Sequence, residues 1–396
     1  MKNPFTLKPI EDFRLLTGRD NFLKLIKTDY ISTMESFVLV GGRRTGKTSL
    51  LKSLCNSKEP NIDFLYWEVS STEGDSWDYF TSIFIERFED DFEEKFNSPD
   101  KFFKLYDEKK SKERKLIIIL DEFETLLGKD IISPLMFRKF RSYLTKYGNS
   151  FLTFIVSSPL KQQDLHIPAE VGSGFLNMLH EEFLPLIETD PPDFYTSYLN
   201  KYDVINDTDI SKRVQSILDN DKFNKSLLFQ WVGKHPYLLQ IIGFELYRNS
   251  ESVDQNAFQK KIQENFNVLM SGWYEKEYFN INLIFYLHLI SKSNKLNGYT
   301  DLGLLKAWCF ITDEIHLNGE AVAYAVKSIF DKTRNLFISE VNKKEELKKD
   351  LLSNFSKIQD GEEFNLGSFS KPFLIDLVMN GLIKIEKNKI IKIKSE

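Results

Sequence analysis

Residues 41–48 read Gly41-Gly42-Arg43-Arg44-Thr45-Gly46-Lys47-Thr48 and match the phosphate-binding pattern G-x-x-x-x-G-K-[ST]. Glycine permits close ligand approach that a Cβ would block, so backbone N–H groups can surround a triphosphate. We expect a catalytic role for the Lys47 amine on the β- and γ-phosphates, and Mg²⁺ binding by the Thr48 hydroxyl. The residues predicted to contact the nucleotide are Gly41, Gly42, Arg43, Arg44, Thr45, Gly46, Lys47, Thr48 and Ser49.

The sequence on either side of this loop is the context that such a loop requires. The apolar residues 36–40 predict a strand before it, and residues 48–55 predict a helix after it. A helix that begins at the loop directs the positive end of its dipole at the phosphates. The alternative, a glycine-rich turn with an incidental lysine, would not need these flanks. No NKxD-like motif for reading guanine follows where we would expect it, so ATP is favoured over GTP.

A second motif consists of the apolar run Leu116–Leu120 followed by Asp121 and Glu122. The run predicts a strand buried on both faces, which delivers the two acids to the sheet edge where ligands bind. Asp121 is predicted to hold Mg²⁺, directly or through water. Glu122 is predicted to be the catalytic residue that polarises the attacking water. Glu124 is a lesser candidate for that base, with a solvated position at a helix start as the alternative.

The apolar segment Phe151–Val156 predicts another strand, which ends at Ser157 and Ser158 before Pro159. A serine at the same sheet edge can contact the γ-phosphate or the attacking water as a sensor. An ordinary turn at the strand end explains the same residues, and the sequence leaves both interpretations open.

The order of predicted elements in the first half of the chain indicates an α/β fold. Strands, including one at residues 62–69, alternate with helices, which is typical of a parallel sheet. Between them, aromatic residues recur every four positions and predict one amphipathic helix with a core-facing stripe. The stripe comprises Phe80, Phe84, Phe88, Phe92 and Phe96.

Strand patterns fade after about residue 190, and the chain then looks mainly helical. We predict a P-loop ATPase core at 1–189, a helical lid at 190–250 and a C-terminal winged-helix-like domain at 251–396. The last of these rests on a helix at 373–379 and a β-hairpin at 382–393, where Ile alternates with Lys or Glu around the turn at Lys387 and Asn388.

The bulk composition excludes several classes of protein. A net charge of −5 argues against a protein that coats nucleic acid by bulk charge, although a local basic patch stays compatible with it. The two cysteines, Cys55 and Cys309, form no CxxC pair, so a disulfide framework and a zinc site are disfavoured. Residues 1–20 lack the apolar core of a signal peptide, and no apolar run is long enough to span a bilayer. A cytoplasmic, membrane-independent protein is the expectation.

Together the motifs resemble the archaeal-type ATPase family of the AAA+/STAND P-loop class, relatives of the replication-initiator ATPases. The resemblance covers residues about 10–250. It rests on Leu16–Asp20, Gly41–Ser49, Ile117–Glu122, Ser157-Ser158, Gly172–Phe175, Phe183–Leu186 and Gly233–Leu239. The loop and the Asp-Glu pair are features of the whole class, whereas Gly-Arg-Asp and His-Pro narrow the resemblance to this family.

The resemblance implies further site residues. Gly18 and Arg19 would lie near the adenine, and His235 and Pro236 would place the lid against the nucleotide. Many members of the class carry an arginine at the end of the sensor strand, where this chain has serines. Arg138 and Arg141 on the preceding helix are candidates for a finger into a neighbouring subunit; otherwise they are surface charges.

The C-terminal hairpin is rich in lysine, and its five members are Lys384, Lys387, Lys389, Lys392 and Lys394. A basic wing can contact DNA phosphates. Lysine alternating with isoleucine is also the solvent face of an edge hairpin, where it prevents aggregation. The sequence does not choose between these interpretations.

Two functions follow from these features. The first is an ATP-hydrolysing molecular switch that controls a protein partner or its own assembly, with defence against phage or mobile elements as a setting suggested by the resemblance. The second is a DNA-binding initiator or transposition-type ATPase. A small-molecule kinase is a third possibility, disfavoured by Glu122 and the His-Pro element.

Overall fold

The computed structural model describes residues 3–57, 59–92, 94–127, 134–165, 174–219, 225–248, 255–275, 287, 302–341, 363–364, 383–386 and 389–392. The chain divides into two compact units. The first comprises Met1–Gln215 together with Lys306–Trp308, and the second comprises Ser216–Leu305 and Cys309–Glu396. The finer division into core, lid and C-terminal domain stays a prediction.

A five-stranded sheet forms the centre of the first unit. Its strands are β1 (Phe37–Val40), β2 (Ile62–Glu68), β3 (Lys115–Asp121), β4 (Leu152–Ser158) and β5 (His180–Phe183). They lie in the order β2-β3-β4-β1-β5, and every neighbouring pair is parallel. The predicted parallel α/β sheet is therefore confirmed. Strand β5 was not predicted, because its polar, partly exposed residues carry no apolar run.

Helices connect and cover these strands. They are α1 (Asp20–Leu25), α2 (Lys47–Cys55), α3 (Ser76–Phe88), α4 (Pro99–Lys109), α5 (Glu124–Leu127), α6 (Pro134–Tyr147), α7 (Pro191–Asn206) and α8 (Ile210–Leu218), within which the division between the units falls. Strands β1, β3 and β4 are almost wholly buried. Burial on both faces explains why the runs that predicted them are continuous rather than alternating.

The predicted single helix with a phenylalanine stripe is wrong in its length. Helix α3 ends at Phe88, and Phe92 lies in extended backbone beyond a short 3₁₀ turn. That turn is Glu89–Asp91, and negative charge at a helix C-terminus opposes the helix dipole. The core-facing role of the stripe is confirmed for Phe80, Phe84 and Phe88, which are fully buried.

The described part of the second unit is helical, with a small sheet near the C-terminus. Its helices are α9 (Lys225–Val232), α10 (Pro236–Arg248), α11 (Gln255–Glu275), α12 (Leu302–Ala307), whose last two residues belong to the first unit, and α13 (Glu320–Val341). Its strands are β6 (Glu363–Phe364), β7 (Ile383–Glu386) and β8 (Lys389–Lys392).

The predicted C-terminal hairpin is confirmed, because β7 and β8 pair antiparallel from Ile383 opposite Lys392 to Glu386 opposite Lys389. The predicted helix at 373–379 and the turn at 387–388 lie outside the described residues. Among the residues that the structure describes, no helix has the length and apolar character needed to cross a membrane.

Candidate nucleotide-binding site

The loop of residues 41–48 connects β1 to α2; it has a left-handed backbone at Gly46 and little room for a side chain at Gly41. Gly46 has φ 98°, in the left-handed region. A Cβ added to Gly41 would lie 3.0 Å from Cβ of Leu184 and 3.2 Å from Cδ of Lys47. Helix α2 begins at Lys47 without a side-chain cap from Gly46. Uncapped N–H groups at a helix start can donate hydrogen bonds to an anion, so the loop fits a phosphate group.

The start of the loop is tied to its neighbours by backbone hydrogen bonds. The Gly41 N–H donates to the Ser158 carbonyl at 3.0 Å, and the Gly42 N–H donates to the Ala307 carbonyl at 3.0 Å. The indole N–H of Trp308 donates to the Pro159 carbonyl at 2.7 Å. All of these residues belong to the first unit. The segment Lys306–Trp308 therefore fixes both the loop and the turn after β4, which the sequence did not indicate.

The Lys47 amine lies beneath the loop, and the residue as a whole is only 8% exposed. It donates hydrogen bonds to the carbonyls of Gly41 at 2.6 Å and Gly42 at 3.0 Å. Burial lowers the pKa of Lys47, while the negative charges of Glu124, Asp121 and Glu122 oppose that shift. The loop lysine and all three acids singled out from the sequence therefore share one electrostatic environment.

Asp121 ends β3, and its carboxylate is completely buried. The Tyr66 hydroxyl donates to Oδ2 at 2.7 Å, and the Ser157 hydroxyl donates to Oδ1. The N–H of Glu122 donates to the same Oδ1 at 3.1 Å. Oδ2 accepts the hydrogen bond from Tyr66 and keeps a second lone pair, and hard oxygen donors suit Mg²⁺. Asp121, with the hydroxyl of Thr48 in the first turn of α2, has the donor chemistry to hold that ion.

Glu122 adopts an unusual backbone conformation at the end of β3. Its φ is 55°, a left-handed value that costs a non-glycine residue of the order of 1–3 kcal/mol and is typical of functional sites. Its N–H also lies 3.3 Å from the Ser157 hydroxyl oxygen, and its carbonyl accepts from the Thr125 hydroxyl at 2.7 Å. These bonds hold the strained turn, which leaves the Glu122 side chain half-buried at the sheet edge.

Glu124 begins α5 and is buried rather than solvated at the helix start. Among the described residues, its Oε2 has no hydrogen-bond partner. Burial raises the pKa of Glu124 to about 7, against the opposing charge of Lys47. An acid in this range can exchange a proton near neutral pH.

The raised pKa of Glu124 makes a testable prediction for stability. A folded pKa above the unfolded value means that the folded state binds more protons, so stability falls as pH rises from about 4.5 to about 7. The penalty reaches roughly 3 kcal/mol at higher pH. We expect urea unfolding of Glu124→Gln to lose this pH dependence relative to wild type. If the unfolding free energy of Glu124→Gln changes between pH 5 and pH 8 by as much as that of wild type, Glu124 does not hold this proton in the folded state.

Arg19, Gly18 and Ser49 were also predicted to contact the nucleotide, and they lie in different surroundings. Arg19 is buried, and its Nη1 lies 3.6 Å from the position of a Cβ on Gly46, so Arg19 adjoins the loop. Gly18 has φ 76° and packs against Ile187. The Ser49 hydroxyl accepts from the Ile10 N–H at 3.0 Å, on the side of the N-terminal segment.

Three other residues that were predicted to contact the nucleotide form hydrogen bonds within the protein. The Ser158 hydroxyl accepts from the Leu160 N–H at 3.0 Å, as in a turn at a strand end. Arg44 is exposed and donates to the Leu7 carbonyl at 2.8 Å. Thr45 donates to the Gly42 carbonyl at 2.7 Å. Contact of Ser157 and Ser158 with the γ-phosphate stays a prediction.

His235 and Pro236 belong to the second unit, where Pro236 begins α10. His235 is buried, and its ring meets Phe266 edge-on at a centroid distance of 5.3 Å. Their predicted role toward the nucleotide is not tested by these contacts.

The candidate arginine finger and the basic hairpin lie away from the loop in sequence. Arg138 and Arg141 are exposed on α6, and the Arg141 guanidinium carbon is 3.5 Å from the position of a Cβ on Gly174. Of the hairpin lysines, Lys384, Lys389 and Lys392 lie in β7 and β8, while Lys387 and Lys394 lie outside the described residues.

Tyr66 is the functional candidate that sequence reasoning missed. It lies in β2, two residues before the Glu68 position that pairs with Asp121. The alternation of β2 gives a weak signal for it, because every second residue from Ile62 shares one face. Only the β2–β3 register shows that this face brings a hydroxyl to Asp121.

No protein-family model and no curated protein sequence matches this chain. Among solved structures, it resembles the Walker-type ATPase paby2304 of Pyrococcus abyssi, with 15% identity and a TM-score of 0.52, over 82% of this chain and 99% of that one. The ORC2 protein of Aeropyrum pernix aligns over 99% of this chain and 93% of its own, with 10% identity and a TM-score of 0.47. At such identity the first likeness shows a shared fold, in agreement with the predicted parallel α/β sheet of a P-loop protein.

Proposed function

We propose that this chain binds ATP with Mg²⁺ and hydrolyses it as a molecular switch that controls a protein partner or its own assembly. The observation that carries the proposal is one shared electrostatic environment for the loop lysine and the acids at the end of β3. Burial lowers the pKa of Lys47, and the negative charges of Glu124, Asp121 and Glu122 together oppose that shift. A buried cation beneath a glycine loop and beside carboxylates suits a triphosphate and its metal ion.

Phosphate binding, Mg²⁺ binding and proton transfer are assigned to different residues in the proposed reaction. The loop N–H groups and the start of α2 bind the phosphates, and Lys47 turns from the loop carbonyls to the β- and γ-phosphates. Thr48 and Asp121 would hold Mg²⁺, which neutralises phosphate charge when bound. Glu122 accepts a proton from the attacking water. The strained backbone of Glu122 is consistent with this function, because such strain collects at sites of chemistry.

The likeness in fold supports hydrolysis as well as binding. The Pyrococcus abyssi protein is described as a Walker-type ATPase, and a second carboxylate after the metal-binding aspartate has a task in hydrolysis that a simple kinase would lack. A switch of the STAND type, with a role in defence against phage or mobile elements, is the finer form of the proposal. It rests on the resemblance of the sequence motifs and on no contact in the structure.

The first experiment is equilibrium binding of ATP and ADP to the full chain, by calorimetry, with and without Mg²⁺. The proposal expects micromolar or tighter binding that Mg²⁺ strengthens for ATP. Absence of binding at micromolar concentrations would show that the loop does not act on nucleotides, and an adaptor or structural role would replace the proposal.

A DNA-binding initiator is the second candidate, favoured by the paired β7–β8 hairpin with lysines in both strands. We would reverse three charges together, at Lys384, Lys389 and Lys392, each to Glu. The initiator function expects duplex DNA affinity that falls with salt, and a slope of log affinity against log salt reduced by about one per lost phosphate contact. The switch function expects no such DNA affinity and unchanged ATP hydrolysis in this variant.

A control with the same change in net charge is available on the first unit. Lys104, Lys109 and Lys112 are exposed, and their reversal to Glu should leave any hairpin-specific DNA binding intact. Equal losses in both triple variants would indicate nonspecific attraction to DNA, and the initiator function would then lose its support.

A further inference from the structure

We propose that Tyr66 and Ser157 are positioning residues that orient the Asp121 carboxylate toward Mg²⁺. We call these two hydroxyl groups the hydroxyl clamp. The inference rests on the proposed function, which supplies the metal ion. It adds Tyr66 to that site and gives Ser157, a sensor candidate in the sequence, a role toward Asp121.

The clamp comes from the two strands on either side of β3. Tyr66 in β2 donates to Oδ2 of Asp121 at 2.7 Å, and Ser157 in β4 donates to Oδ1. Strand β3 lies between β2 and β4 in the sheet. The two oxygens are therefore held from opposite sides, which restricts rotation of the carboxylate about its Cβ–Cγ bond.

The Tyr66 ring is itself fixed. Together with Phe64 it packs against the hydrophobic cluster that includes Leu50 and Leu54 of α2, and the Lys52 amine lies 5.6 Å from the ring centroid. A phenol is protonated at neutral pH and can donate to a carboxylate. A rigid ring between β2 and α2 thus delivers a permanent donor to the carboxylate.

The arrangement matches what outer-sphere residues do in metal sites. A carboxylate that binds a metal ion is itself commonly hydrogen-bonded, and the partners set its orientation and basicity. Oδ1 of Asp121 accepts from both Ser157 and the Glu122 N–H, whereas Oδ2 accepts from Tyr66 and keeps a second lone pair for the ion. Asp121 is completely buried, and a fixed orientation removes the need to reorganise when the ion binds.

The chain offers a matched control in the same unit. The Tyr106 hydroxyl donates to Oδ2 of Asp63 at 2.8 Å, so it is also a tyrosine bonded to a buried aspartate. Arg114 donates to that aspartate as well, at the opposite end of β2 from Glu68. Replacement of Tyr106 by Phe removes an equivalent hydrogen bond and leaves Asp121 untouched.

The test measures the Mg²⁺ concentration at which a fluorescent ATP analogue is half-saturated on the full chain. Loss of an outer-sphere partner costs about 10–100-fold in metal affinity, so Tyr66→Phe should raise the half-saturating Mg²⁺ concentration by at least about tenfold. Analogue binding without Mg²⁺ should stay at the wild-type level. Ser157→Ala should shift the Mg²⁺ requirement in the same direction, and Tyr106→Phe should not shift it.

The outcomes separate the clamp from the proposed function. If wild type requires Mg²⁺ and Tyr66→Phe has the same requirement, the clamp is wrong and the proposed function stands. An equal shift in Tyr106→Phe would also overturn it, because the effect would then be a general loss of stability. If Tyr66→Phe fails to fold by circular dichroism, an unshifted Ser157→Ala overturns the clamp. A wild type that binds no nucleotide contradicts the proposed function, and the clamp with it.

Discussion

Replacement of Lys47 by Ala is expected to reduce the affinity for ATP·Mg²⁺ at least about a hundredfold. The buried amine can bring a full positive charge to the phosphates from beneath the glycines, whereas Arg44 is exposed and donates to the Leu7 carbonyl. Charge-assisted hydrogen bonds contribute about 1.5–3 kcal/mol each, and loss of two such bonds corresponds to at least a hundredfold weaker binding. Calorimetric titration with ATP checks the prediction.

The control for this change is Lys52→Ala in the same helix. Lys52 is more exposed, pairs with Glu11 at 3.2 Å and lies 5.6 Å from the Tyr66 ring centroid, so its loss removes two weak interactions of a partly exposed amine. Thermal unfolding of both variants shows whether α2 persists. Wild-type affinity in a folded Lys47→Ala variant would mean that the lysine bonds the loop carbonyls alone, and its assignment to phosphate binding would be wrong.

The elements that the sequence predicted well are those whose pattern is local. Strand β3 has a continuous apolar run because it is buried on both faces, and α2 follows the loop over Lys47–Cys55, close to the predicted 48–55. The loop was recognised because its chemistry needs glycine and lysine at fixed spacing. In each case a short window of residues contains the whole physical requirement.

The features that were missed depend on contacts distant in sequence. Strand β5 is polar and is stabilised by pairing with β1, a partner about 140 residues earlier in the chain. The hydroxyl of Tyr66 reaches Asp121 because β2 and β3 pair in one register. The hydrogen bond from Gly42 to Ala307 connects two residues of the first unit that are distant in sequence. No local pattern encodes such contacts, so sequence reasoning found the acid at the site and missed the residues that hold it.

Glu122→Gln is expected to bind ATP with near wild-type affinity and to lose turnover by about 10²–10⁴-fold, the usual contribution of a general base. The amide keeps the shape of the side chain and its strained turn but accepts no proton. We expect the ATP-bound form to accumulate, and with it any larger assembly that the switch forms. Steady-state hydrolysis and molecular mass by light scattering, measured together with and without duplex DNA, check both parts.

Glu124→Gln is the decisive comparison, because both acids lie beside Lys47 and both act on its pKa. Glu122 is half-buried at the sheet edge, where an attacking water has access, whereas Glu124 is almost fully buried. If only Glu124→Gln stops turnover, the base is misassigned and the buried acid takes its place. Persistence of turnover in both variants would mean that neither Glu122 nor Glu124 accepts the proton. Stimulation of wild type by DNA would favour the initiator, since a switch controlled by a protein partner has no reason to respond to a duplex.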